Sequence, residues 1–152
     1  MGKQRKMSSE TSTERRSGTQ DMINKLLAER QEMLLMFEKV AGLQPYDKNV
    51  DGDALQKFCG VLVDYSAFGH FEIYERINDG RERRKRVVDM ARDVYPLIVE
   101  SSEVAVEFND KYDSADHALD LNHLDRDLGK LGEEIATRIE MEDRIIEALV
   151  AN

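Results

Sequence analysis

The chain is predicted to be all-α, an antiparallel up-and-down four-helix bundle preceded by a disordered N-terminal tail. Three observations carry this prediction. Charged residues make up 35% of the 152, the chain holds only two prolines and nine glycines, and apolar side chains recur at three- and four-residue steps over long stretches. A strand-rich fold needs more turn punctuation than that, whereas such spacing lines one face of a helix. At this length one hydrophobic core is stable without disulfides or metals.

Residues 1 to 19 (MGKQRKMSSETSTERRSGT) are polar and rich in Ser and Thr, without periodic apolar positions. They are expected to be a disordered basic tail, leaving residues 20 to 152 as the bundle. Ile23, Leu26, Leu27, Leu34, Phe37, Val40 and Ala41 predict a first helix over 20 to 41, stopped at Gly42. Gln44 to Asp53 reads as a loop, with Asp53 as the next cap. Leu55, Phe58, Cys59, Leu62, Val63, Ser66, Gly69, Ile73, Tyr74 and Ile77 mark a second helix over about 53 to 78, closed by Asn78-Asp79-Gly80. Val87, Val88, Ala91, Val94, Ile98, Ser102, Ala105, Val106 and Phe108 mark a third. Pro96 interrupts it, and a kink or break is expected near Tyr95 because an internal proline loses a backbone hydrogen bond. Asp110 to Asn122 reads as a loop or short turn. Leu124, Leu128, Leu131, Ile135, Ile139, Ile146 and Leu149 mark a fourth helix running close to the C-terminus. Helices of about 26 residues would be ~39 Å long, so an elongated cylinder is expected.

Composition also bounds function. No run of about 18 apolar residues could span a bilayer, and no hydrophobic stretch follows the charged start, so an unexported, cytoplasmic protein without membrane contact is expected. Met1-Gly2 does not complete a myristoylation motif, because Lys6 stands where Ser or Thr is needed. The lone Cys59 lies in an apolar run and suits a packed thiol in a reducing compartment. The net charge of -9 is uneven: +3 over residues 1 to 20, -2 over 21 to 99 and -10 over 100 to 152. An acidic body repels nucleic acid and attracts a basic protein surface, including one that otherwise binds DNA. The plainer reading is that acidic helices keep the protein dissolved.

Candidate chemistry is sparse. Asp47 to Asp53 imitates the opening of an EF-hand loop, but Phe58 stands where the closing bidentate Glu is required. Di-iron bundles need Glu-x-x-His pairs, and the residues three before His70, His117 and His123 are Ala67, Ser114 and Asp120. No nucleophile motif, phosphate-binding glycine loop or zinc spacing is present, so no catalytic residue, metal ligand or cofactor is expected. The basic run RERRKR at 81 to 86 reads as a solvated turn. The most unusual stretch is Phe58 to Ile77, where Asp64, Ser66 and His70 interleave with Tyr65, Phe68, Phe71 and Tyr74. On a helix 64, 68, 71 and 75 share one side while 62, 66, 69 and 73 share another. The first group suits an exposed recognition face; the alternative is that the aromatics fill a wide core. In the fourth helix the apolar stripe skips Glu142-Asp143, so either the stripe rotates or a carboxylate points inward. An inward carboxylate requires a partner such as His70 or Arg30.

The stretch FCGVLVDYSAFGHFEIYERI, with its LVDY and GHF-x-IYE elements, closely resembles the signature of the Rsd/AlgQ family of bacterial anti-sigma factors. TERRSGTQDMINKLLAERQEML, VYPLIVE and LGEEIATRIEMEDRIIEALV resemble the family's first, third and last helices, so the likeness covers about residues 13 to 150. Two departures stand out. Leu26 occupies a position where members commonly have Trp, and residues 1 to 12 lie outside the pattern. The resemblance implies a non-enzymatic four-helix bundle that binds the C-terminal region of the principal sigma factor and blocks its promoter -35 and core polymerase contacts. It implies Asp64, Tyr65, His70, Phe71 and Tyr74 as the partner-binding surface, with Arg30 and Glu142 as supporting polar residues. It also carries links to phosphotransfer and stringent-response proteins, on which this sequence is silent. The alternative from a different class is a ligand- or metal-sensing bundle with a pocket in the polar layer around His70.

Overall fold

The computed structural model describes the backbone of residues 2–42, 48–78, 80, 82–113 and 120–151, and their side chains apart from 2–17, 48–51 and 78. Among the described residues it is all-helical. The elements are α1 (Gly2–Ala41), α2 (Lys48–Phe68), a π-helical turn (Gly69–Tyr74), α3 (Glu75–Asn78), α4 (Lys85–Tyr112) and α5 (Leu124–Val150). Because α2, the π turn and α3 follow without interruption, they form one rod, and the molecule is a bundle of four.

Contacts between rods run in opposite directions along every neighbouring pair. Phe37 meets Phe58 while Lys25 meets Phe68, and Phe58 meets Phe108 while Tyr74 meets Tyr95. Arg84, before α4, reaches Leu149 near the end of α5, and Lys111 reaches Asp127 near its start. Arg30 and Phe37 of α1 meet Glu142 and Gly132 of α5. The topology is therefore antiparallel and up-and-down. Gly132 permits the last approach, since a Cβ there would stand 3.1 Å from the Phe37 ring.

The buried stripes follow the three- and four-residue spacing. Ile23, Leu26, Met33 and Val40 come from α1, Leu55, Phe58, Cys59 and Leu62 from α2, Val87, Ala91, Val94 and Ile98 from α4, and Leu124, Leu128, Leu131 and Ile135 from α5. Burying a large aliphatic side chain contributes roughly 1.5–3 kcal/mol, so these stripes hold the bundle. Phe37, Phe58 and Phe108 form an edge-to-face chain through three rods, with centroids 5.8 and 5.7 Å apart. Burial, with the Asp113 charge adding, pushes the Cys59 thiol up to about 12, which leaves it a protonated packing group at neutral pH.

Several expectations shift. α1 is helical from Gly2, so the backbone of the expected tail continues the helix. Lys, Arg, Glu, Gln and Met favour helical backbone even without a face to bury. The second rod begins at Lys48, inside the expected loop. α4 is not broken at Tyr95; it runs through Pro96. Pro96 and Arg92, whose carbonyl loses its partner to the proline, are both exposed, so water can satisfy that carbonyl. The loop residues 43–47, 79, 81 and 114–119 lie outside the described residues, as do the side chains of Asn49 and Asp51 in the calcium-loop imitation.

The basic run before α4 is more than a solvated turn. The Arg84 guanidinium donates to the Leu149 carbonyl at 2.8 Å, and Arg86 donates to the carbonyls of Ala148 (3.1 Å) and Ala151. The last carbonyls of a helix have no intrahelical donor, so these arginines cap α5. Glu82 grips Arg84 in turn, and that side-chain hydrogen bond holds its carboxyl below the usual range. Arg84→Ala is expected to lower stability by about 1 kcal/mol in urea unfolding, with fraying at the end of α5 visible by hydrogen exchange.

Candidate functional site

The second rod decides which candidate residues a partner can reach. Leu62, Ser66, Gly69 and Ile73 are buried, whereas Asp64, Phe71 and Glu75 are exposed and Phe68 is half-buried. The two sides thus divide as the helical spacing predicts. Phe71, at 57% exposure, is the most exposed large hydrophobic side chain among the described residues. Asp64 lies near α1, where its charge adds to burial in raising the Glu29 pKa, while Lys25 sits 4.6 Å over the Phe68 ring.

Tyr65 and Tyr74 do not belong to that surface. Their exposures are 0% and 1%, so the placement implied by the resemblance is corrected: both are core residues. Tyr65 follows Asp64 by one helical step of about 100°, which turns it inward as Asp64 turns outward. Tyr74 follows Phe71 by three residues, a spacing that would share a face on an α-helix. The intervening π turn, in which the Glu75 N–H bonds the His70 carbonyl five residues back, advances less per residue and separates them. His70 is half-buried, edge-on to Phe71 with centroids 5.0 Å apart, and its charged neighbour is Glu75 at 3.9 Å.

The inward carboxylate is Glu142, and its partner is Arg30 rather than His70. Glu142 is 1% exposed and accepts from the Tyr65 hydroxyl and from Arg30 (3.1 Å) on Oε1, and from Arg138 (3.1 Å) on Oε2. Arg138, itself 1% exposed, also donates to the Ser101 and Ser102 hydroxyls at 3.1 and 2.8 Å and to the Ser66 carbonyl at 3.1 Å. One ionic layer therefore ties α1, α2, α4 and α5 together. Charges this deep cost several kcal/mol each to desolvate, and only a set with nearly every polar atom paired offsets that. Burial, reinforced by Glu142, pushes the Tyr65 hydroxyl far up, so it stays a donor. Burial works against the Arg30 charge, but Glu142, Tyr65 and Asp143 outweigh it and raise its pKa. Burial likewise raises Tyr74, whose hydroxyl has no hydrogen-bond partner among the described residues.

The layer presses directly on the π turn. A Cβ at Gly69 would stand 2.8 Å from Arg138 Nη2 and 3.4 Å from Glu142 Oε2, so the rod passes close only because residue 69 has no side chain. Gly69→Ala is expected to destabilise by about 1–3 kcal/mol in denaturant unfolding. Gly60→Ala, where a Cβ meets nothing within 4 Å, is expected to be neutral or slightly stabilising.

Arg138 escaped the sequence reading, as did Ser101. The signal was there: Leu131, Ile135, Arg138, Glu142, Ile145 and Leu149 keep one three- and four-residue register, and all are buried. The expected stripe through Ile139 and Ile146 instead marks its half-buried flank. Among the described residues no three His, Cys, Asp or Glu converge as a metal site, and no helix is long and apolar enough to cross a membrane.

A family model described as "Regulator of RNA polymerase sigma(70) subunit, Rsd/AlgQ" matches residues 6–150, which includes part of the segment that the sequence resemblance left out. A "Regulator of sigma D" from Yersinia enterocolitica is 30% identical over 145 residues, covering 91% of this chain and 86% of the relative. Another, from Salmonella arizonae, is 29% identical over 143 residues, covering 90% and 86%. No solved structure matches the chain. With nearly its whole length matched, the chain belongs to the Rsd/AlgQ family of regulators of the RNA polymerase sigma(70) subunit.

Proposed function

We propose that this protein regulates transcription by binding the principal sigma factor through that factor's C-terminal region, which withholds it from promoter -35 DNA and from core polymerase. It acts by occupancy rather than catalysis, in the cytoplasm, with no cofactor. The observation that carries the reading is the exposure of Phe71 and Asp64 on the rod that the Arg138–Glu142 layer holds from within. An aromatic side chain standing in water beside a carboxylate is the composition of an interface hot spot. The charge of -9 supports a basic, DNA-reading partner surface, which this body attracts from a distance. Asp64, Phe71 and the flank of His70 form the contact; Tyr65, Tyr74, Arg30 and Glu142 act behind it as the scaffold.

The test is a binding titration of the full chain against the purified C-terminal sigma domain at low and moderate salt. Association that weakens as salt rises supports the reading. No association at either salt rejects it.

A further inference from the structure

Next to Phe71, along the seam between the second rod and α4, runs an open apolar groove of about 380 Å³. Val99, Ser102, Glu103, Val106 and Glu107 of α4 line it together with His70 of the second rod, and Glu103 and Glu107 are exposed. Val106 is 52% exposed in the groove, and the exposed Phe71 ring stands against His70, which lines it. Val99, Glu103 and Val106 are spaced as i, i+4 and i+7, which stretches the α4 side over ~10.5 Å, about two helical turns. Among the described residues neither Glu103 nor Glu107 is ion-paired with a basic side chain.

An apolar trough two turns long with unpaired carboxylates along its rim is the complement of an amphipathic helix whose apolar stripe is flanked by Lys or Arg. A second copy of this chain fits poorly, because its C-terminal third carries a net -10 and would set carboxylates against Glu103 and Glu107. We infer that this groove seats a basic amphipathic helix of the sigma C-terminal region, extending the contact from Asp64 and Phe71 onto α4. The inference rests on the function proposed above and adds to it a second contact and the chemistry of what fills it.

The experiment measures affinity of the full chain for the purified C-terminal sigma domain, with Val106→Arg and Glu103→Lys/Glu107→Lys as variants. These side chains lie at the surface, and circular dichroism confirms that each variant folds. Val106→Arg is expected to weaken binding at least tenfold. The double charge reversal is expected to weaken it about tenfold at low salt and less at high salt. Parent-like affinity in both variants, while Phe71→Ala still weakens binding, overturns the groove and leaves the proposed function standing. A parent that does not bind the sigma domain overturns both. Sedimentation showing a parent dimer that Val106→Arg dissociates assigns the groove to a second copy and overturns the inference.

Discussion

Glu142→Leu is expected to lower the unfolding free energy by about 3–5 kcal/mol, enough to leave a marginal domain partly unfolded at 37 °C. Among the described residues the carboxylate is the one anion fully inside the bundle, and it answers three donors at once: Tyr65, Arg30 and Arg138. Arg30 keeps its 2.9 Å contact with the half-exposed Asp143, so it retains a counter-charge. Arg138 does not, because its remaining partners are two hydroxyls and a carbonyl, all neutral. The loss is therefore the cost of an uncompensated buried cation, plus that of an orphaned tyrosine hydroxyl. Arg138→Met/Glu142→Leu removes both charges and is expected to recover much of the loss. Recovery stops short of full because Ser66 and Ser101 lose their donor. Urea unfolding of parent, both single variants and the double variant closes the cycle. A Glu142→Leu protein within 1 kcal/mol of the parent would show that the layer is not held by charge. In that variant the amides of the Gly69–Tyr74 turn should exchange faster than those of α4, because the turn packs against the layer that is lost.

What the sequence shows and what it conceals follow from the range of the forces involved. Burial on a helix is periodic, so the rods and the inward set Leu62, Ser66, Gly69 and Ile73 can be read from spacing alone. Polar residues in an apolar register are harder. Glu142 stood out because it left a gap in the stripe, but Arg138 was hidden by the neighbouring Ile139, which offered a plausible apolar path. The π turn has no periodic signature; it coincides with a tertiary contact, Gly69 against Arg138, made by a residue 69 positions away. Tyr74 was set at the surface by the family resemblance, whereas spacing had placed it in the apolar stripe of the second rod, where it is buried. Pro96 did not break α4 because its local penalty falls on a face where water relieves it.

Phe71→Ala is expected to weaken binding of the sigma C-terminal domain by at least about 2 kcal/mol, or about thirtyfold, mainly by faster dissociation. Asp64→Ala should cost less, about 1 kcal/mol, and act mainly on the association rate. The two side chains do different work. Phe71 offers a ring that is more than half exposed beside His70 and so has apolar area to lose on docking. Asp64 contributes charge at an exposed rim, where it steers more than it anchors. Salt separates them: raising ionic strength should shrink the difference between parent and Asp64→Ala while leaving that between parent and Phe71→Ala nearly unchanged. Both positions are exposed, so stability should stay within about 0.5 kcal/mol of the parent, and any loss of binding can be attributed to the face itself. Binding by both variants as tight as the parent's would move the interface off this rod. Loss in Phe71→Ala with parent-like unfolding would fix it there, on a turn that packs through Gly69 against a buried arginine of α5.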